Sequence, residues 1–344
     1  MYPYNLNFKL SFLSLKSTPC VPAPISVSQS VQSNYKPLVV MKPFVVIFLI
    51  LGVHTTHAQT FDDYARAGVA AGQQQNYREA LNDFIKAYNL QPTNAEINQR
   101  VGLMYFCLYK YDSAIQFYNV ALAQNPKDSQ SYFQRGYSYL SMNEFQNGLD
   151  DFVKCTKLLK KVNPEVLYYM GKCDEGLGRW DDAIYHFNQD LTFRPGNKLS
   201  LYEVAYCYTL IFDKTNAMKY YNKAIDQDPN YYDAYLNRGL LFESQFNNPV
   251  KALDDLEKSI ELKPNSKLSY LYEGLIYNDE HKFDKAKDIY DKVIDMYPDF
   301  AEAYYQRAIA WQGMGNLNMV CADLNTAEKL GYKKATEYKK DICK

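Results

Sequence analysis

The chain has 344 residues, 47% hydrophobic and 22% charged, which is enough apolar material for a buried core and too much for a disordered chain. Formal net charge is -1, and residues 1–58 hold four Lys (Lys9, Lys16, Lys36, Lys42) and no acid, so the remainder carries 34 basic against 39 acidic residues. No clustered cationic face is available to displace counterions from phosphate, and nucleic acid is excluded as a partner.

Taken in chain order, the first segment calls for removal before any fold is considered. Lys42 precedes the apolar run Phe44 to Val53, and Thr56-His57-Ala58 places small residues where a signal peptidase inspects them. Residues 41–58 are therefore expected to be a signal peptide. The mature chain is then periplasmic or extracellular, conditional on translation starting at Met41. Ten apolar residues are few for roughly 30 Å of hydrocarbon, so a membrane anchor is the rival reading and no stable span is expected after cleavage. Residues 1–40, rich in Ser and Pro and without Asp or Glu, are expected to be an over-long start or disordered. A transit peptide is the alternative, although such peptides favour Arg and this stretch has none.

From residue 61 onward the prolines expose a repeat. Pro92, Pro126, Pro164, Pro195, Pro229, Pro264 and Pro298 lie 34, 38, 31, 34, 35 and 34 residues apart. Proline ends a helical pattern, and Asn94, Asp128, Asn197 and Asp299 follow as expected N-caps. Small residues recur in the first helix of each unit (Gly68, Gly102, Gly136, Gly171, Ala205, Gly239, Gly274, Ala308) and again in the second (Ala80, Ala114, Gly148, Ala183, Ala217, Ala252, Ala286). Four residues beyond the second set stand Phe84, Tyr118, Phe152, Phe187, Tyr221, Leu256 and Tyr290, on the same helix face. A short turn followed by an aromatic (Tyr77, Tyr111, Phe145, Trp180, Phe283) divides each pair. The unit from Ser129 has four residues too many before Pro164, about one helical turn, so its second helix is expected to lengthen. Phe246 to Pro249 adds one residue in a turn.

This pattern resembles the tetratricopeptide repeat family, on Tyr132, Gly136, Tyr139 and Phe152 in one unit and on Asn98, Val101, Gly102, Tyr105, Ala114, Tyr118, Ala121 and Pro126 in the unit before. The chain is similar in particular to exported, envelope members of that family. The resemblance implies an all-α fold, a right-handed superhelical solenoid of about eight antiparallel helix-turn-helix repeats. Their expected bounds are 61–94, 95–128, 129–163, 164–197, 198–231, 232–266, 267–300 and 301–332, with 333–344 as a capping helix.

Chemistry is sparse in this pattern. Outside the signal, only His186 and His281 remain; neither has a nucleophile motif around it, and His186 reads as an exposed helical residue. No enzyme activity, catalytic residue, metal or cofactor is expected. No C-x-x-C occurs, and Cys173 and Cys207 share a packing slot in successive first helices. If the compartment is oxidising, Cys155 with Cys173 and Cys321 with Cys343 are candidate disulfides. Gly176-Leu177-Gly178 lacks the Lys and Ser/Thr of a phosphate loop and reads as a hairpin turn. Asp150-Asp151, Asp181-Asp182 and Asp254-Asp255 read as solvated helix-start acids.

The family resemblance also implies that first helices line a concave side. Their inward positions here are Phe133, Tyr137, Tyr168, Tyr202, Tyr206, Leu236, Leu240, Leu271, Leu275 and Tyr305, an aromatic and apolar row suited to an extended peptide or a partner helix. The Lys-Asn clamp with which some members hold a chaperone C-terminus is missing: the matching positions hold Ala65, Val69, Arg100, Gln130 and Gln134. Arg66 and Arg100 are left as residues that could meet an acidic ligand. A protein-protein interaction scaffold is the expected function. The alternatives are a structural component of the cell envelope built by repeat-repeat stacking and a regulatory module of a separate signalling enzyme; the oligomeric state stays open.

Overall fold

The alternation of small and large side chains along single helix faces dictates close-packed hairpins. The structure is a computed structural model that describes residues 60–343, and among these it forms 17 α-helices and no strand. The expected signal segment lies outside the described residues. The chain divides into two units, one ending at Met142 and the other starting at Asn143.

In the first unit, α1 (Phe61–Gln73) pairs with α2 (Tyr77–Leu90) and α3 (Ala95–Cys107) with α4 (Tyr111–Gln124), and α5 (Ser129–Ser141) packs on α3 and α4. The second unit opens with α6 (Phe145–Leu158) against α7 (Pro164–Gly176), which pairs with α8 (Trp180–Phe193). The hairpins α9 (Lys198–Leu210) with α10 (Lys214–Gln227), α11 (Tyr232–Phe246) with α12 (Pro249–Leu262), α13 (Lys267–Asp279) with α14 (Phe283–Met296), and α15 (Ala301–Gly313) with α16 (Leu317–Lys329) follow. α17 (Lys333–Ile342) lies on α16.

The small residues work as the repeat pattern requires. A Cβ on Gly171 would sit 2.6 Å from the Phe187 ring, too close for any side chain, so glycine is what lets α7 and α8 approach. Where the first helix carries Ala205 instead, the facing Tyr221 is still fully buried in a core with Leu201, Ala217 and Leu241. Burying such rings contributes roughly 1.5–3 kcal/mol each.

Helix ends follow local chemistry. Asn94, Asp128 and Asn197 cap α3, α5 and α9 by accepting backbone N–H groups. Asp299 does not cap: α15 starts after Phe300, one residue later, without a side-chain cap. Pro164 is likewise not the end of a hairpin. It is the first residue of α7, where its missing N–H costs nothing, with Asn163 as cap. The expected extra turn on the second helix is therefore absent. α6 has the same 14 residues as α4, and the connection 159–163 is only one residue longer than 125–128; the rest of the wider proline spacing arises because Pro164 stands three positions later than Pro126 relative to the helix that follows.

Between the two helices of each hairpin, one residue sits in the left-handed region: Gln75, Tyr109, Asn143, Phe212, Asn247 and His281, with φ between 49 and 62°, and the glycines Gly178 and Gly315. The next backbone N–H then closes the turn, as Asp213 does onto Tyr208 O at 2.9 Å and Lys110 onto Tyr105 O at 2.9 Å.

Of the two candidate disulfides, Cys321–Cys343 is formed, tying α16 to the end of α17 over a core of Val320, Leu324, Ala327 and Ala335. The other pair is not formed: Cys155 and Cys173 are buried thiols with no disulfide between them. Cys173 fills the packing slot it shares with Cys207, and burial pushes its thiol up, away from the thiolate that exchange requires.

Candidate functional site

Helix periodicity puts residues three, four and seven apart on one face, and successive first helices of the second unit come together on such a face: α9 meets α11, α11 meets α13, and α13 meets α15. This inner face carries most of the expected contact row. Tyr168, Leu236 and Leu271 are buried within it, whereas Tyr202, Tyr206, Leu240, Leu275 and Tyr305 are half-buried. Tyr202 stacks on Tyr206 with centroids 6.3 Å apart, and its hydroxyl accepts from Asn237 Nδ2 at 3.0 Å. Tyr305 packs against Tyr332 at 5.1 Å. Phe133 and Tyr137 belong to the first unit, the former half-buried and the latter buried edge-on to Phe106 at 5.2 Å. Arg66 and Arg100 are turned onto their own helices, Arg66 to Asp63 at 2.7 Å and Arg100 to Glu96 at 2.5 Å.

The inner face is less apolar than the row suggests, because charged residues occupy positions between the rings. Lys172, one turn beyond Tyr168, bonds Glu175 Oε2 at 2.5 Å and Glu203 Oε1 at 3.1 Å, and Tyr168 donates its hydroxyl to the same Glu203 oxygen at 3.3 Å. Glu175 and Glu203 are both buried. Burial and the neighbouring Glu203 push the Glu175 carboxyl well above the usual range, although Lys172 opposes them. Burial disfavours the charge on Lys172, yet the two carboxylates outweigh it and hold the ammonium protonated above its ordinary value. Asp233, at the start of α11, is also raised, by burial and by Glu203, with Lys263 acting against. Burial followed by Glu175 and Glu203 moves Tyr206 up to about 12. One turn beyond Leu240, Glu243 is raised by burial, Asp279 and Glu280, and its Oε2 is buried without a hydrogen-bond partner. A second lysine, Lys282, is engaged with Glu280 at 2.9 Å.

On the side of the second helices, charge is handled differently. Arg238 grips Asp255 with two bonds of 2.8 and 2.7 Å and reaches Asn222 at 2.6 Å; Arg307 grips Asp323 at 2.8 and 2.7 Å and reaches Asp291 at 2.5 Å. Each arginine thus bolts its own hairpin to the preceding second helix. Asp255 is consequently buried, not solvated as its place in an acidic doublet suggests, and Asp151 is buried too. His186 departs from expectation in the same way. It is half-buried, with Nδ1 2.7 Å from Oδ2 of the buried Asp174.

Neither the lysine cluster nor the arginine bolts were found in the sequence. Collecting only large apolar residues at the inward positions passed over Lys172, although it stands where Tyr206 and Leu240 stand in later repeats. The bolts leave a periodic trace, Arg307 sixteen residues before Asp323 and Arg238 seventeen before Asp255, the extra residue being the one inserted at the α11–α12 turn.

No metal-holding group of three or more His, Cys, Asp or Glu occurs among the described residues, and none of their helices is long and apolar enough to cross a membrane. What the second unit presents is a helix-turn-helix stack with a ring-lined, acid-bearing inner face. Family models described as tetratricopeptide repeat match residues 66–129, 129–158, 165–189, 200–231 and 268–299, more than half of the chain, and the chain belongs to that family.

Among curated proteins it is similar to a TPR repeat-containing protein of Methanocaldococcus jannaschii, 23% identical over 239 residues, covering 64% of this chain and 42% of that protein. It is similar to the human mitochondrial import receptor subunit TOM70 at 23% over 237 residues, covering 64% and 38%. The chain thus spans about two fifths of the length of these relatives. Among solved structures, the pilF protein of Pseudomonas aeruginosa superposes with a TM-score of 0.50 at 16% identity, over 61% of this chain and 94% of that one, a likeness of fold.

Proposed function

We propose that the chain is a protein-binding scaffold that holds an extended peptide or a partner helix against the inner face of its first helices. The observation that carries this reading is the row of half-buried Tyr202, Tyr206, Leu240, Leu275 and Tyr305 on one face, since large rings and leucines give contact area for little lost side-chain entropy. The similarity to a subunit of an import receptor agrees with it. We also propose that it acts after export. The apolar segment that follows Met41 supports this, as does the Cys321–Cys343 disulfide, a bond that persists in oxidising compartments.

The test uses Tyr206→Ala, Leu240→Ala and Tyr305→Ala together, because these side chains are partly accessible, whereas Tyr168 is interior and its removal would take away one of the bonds to the buried Glu203. Affinity capture from envelope extract is expected to lose the partners held by the unmodified chain, with helical circular dichroism unchanged. Identical capture by the triple variant would remove the inner face from the mechanism. N-terminal sequencing of the exported protein is expected to start at Gln59; an intact segment 1–40 would overturn the export reading.

A further inference from the structure

The inner face of α9, α11 and α13 has more negative than positive charge. Glu175 and Glu203 share one ammonium, that of Lys172, near the Tyr168, Tyr206 and Tyr231 side chains, and Asp233, which also feels Glu203, has Lys263 acting on it without a bond. Further along, Glu243 keeps a buried carboxylate oxygen with no hydrogen-bond partner in the field of Asp279 and Glu280, the latter bonded to Lys282. The bolts on the opposite side show what this fold does when it compensates buried acid from within: an arginine makes two parallel bonds to each aspartate. On the inner face no such cation is bonded to Glu243 or Asp233 among the described residues.

Carboxylates that share one cation, as Glu203 does with Glu175, or have none bonded, as Asp233 and Glu243, attract a further cation in a partly desolvated setting, because water screens them little. Aromatic rings beside them favour the same occupant, since a ring face attracts a guanidinium or ammonium. Spacing suits a chain and not a single small ion. Asp233, Leu236, Leu240 and Glu243 share one face of α11 over three turns, so acid and apolar positions alternate along the path.

We propose that this face selects an extended peptide segment bearing lysine or arginine, its cationic side chains lying against Glu203, Asp233 and Glu243 and its apolar ones against Tyr206, Leu240 and Leu275. The assignment rests on the scaffold reading above and names the partner's chemistry.

The test measures fluorescence anisotropy of three labelled twelve-residue peptides, alternating alanine with lysine, glutamine or glutamate, against the full chain. The lysine peptide is expected to bind at least tenfold tighter than the glutamine peptide at low salt, with the glutamate peptide weakest, and the difference is expected to shrink as salt rises. Glu203→Gln, Asp233→Asn and Glu243→Gln together are expected to erase the lysine preference. Asp181→Asn with Asp182→Asn, which removes two exposed charges from α8, is expected to retain it. Glu243→Gln alone, which alters no existing hydrogen bond, is expected to reduce the preference by a severalfold factor and guards against a folding defect in the triple variant. Equal binding of the lysine and glutamine peptides would overturn the charge assignment and leave the scaffold reading standing. So would a lysine preference that survives the triple variant, or one that falls equally with the α8 pair. Binding of none of the three would also overturn it, while the scaffold reading answers to the capture experiment.

Discussion

The two sides of the second unit treat buried charge in opposite ways. Toward the second helices, Arg238 and Arg307 meet the buried Asp255 and Asp323 with paired bonds, and Arg307 adds a single bond to the half-buried Asp291. On the inner face, Lys172 is shared between Glu175 and Glu203 while Asp233 and Glu243 have no bonded cation. The lesson is that matched charge holds repeats in register, and surplus charge is what a repeat protein has to offer a partner.

The sharpest break in that contrast is Arg238→Ala. It leaves Asp255 buried without its partner and is expected to cost about 3–5 kcal/mol, measured by chemical unfolding of the full chain. Cys321→Ser tests a fastening that uses no charge. Opening a loop with a sequence separation of 22 is expected to cost about 3 kcal/mol, read as earlier loss of the α17 end in hydrogen exchange.

Glu273 sharpens the comparison, because it occupies in α13 the register position that Arg238 and Arg307 occupy in α11 and α15. Burial, with the nearby Glu257 adding and Lys292 opposing, pushes its carboxyl up to about 7. The folded state therefore binds this proton more tightly than the unfolded chain. Stability is lost as pH rises from about 4.5 to about 7 and is level above. Glu273→Gln is expected to flatten that fall, by roughly 1–3 kcal/mol between pH 4.5 and 8; an unchanged pH profile would show that Glu273 is adequately solvated. The smallest effect is expected for Glu175→Gln. It removes surplus charge while Lys172 keeps Glu203, so unfolding at pH 8 should change by less than about 1 kcal/mol and in the stabilising direction, against the several lost at Arg238.

Much of the fold was legible in the sequence because the hairpin core depends on residue size at fixed local spacing. Gly171 opposite Phe187 and Gly274 opposite Tyr290 are such pairs, and Asn94, Asp128 and Asn197 act within their own helix starts. Pro164 misled because proline fits the first position of a helix as well as the place after one. The inner-face rings were legible by position, but their burial was not: whether Tyr168 faces solvent depends on Glu203, 35 residues away in the next repeat. A separation of 31 residues from Glu203 hid the role of Lys172, and the charge of Asp255 and His186 suggested solvent where each has a partner in the neighbouring helix.

Eight of the turns between successive helices pass through one left-handed backbone position, and in six of them that position carries a side chain, Phe212 and Tyr109 among them. A residue with a Cβ holds that conformation at a disadvantage of about 1 kcal/mol relative to glycine. Phe212 and Tyr109 are exposed at the hairpin edge, and neither belongs to the inner face or to the bolts. The turns therefore amount to a stability reserve held within the individual hairpins. Glycine at these two edges could lengthen the life of the folded chain against proteolysis without altering what it binds, so persistence and recognition can change independently in this architecture.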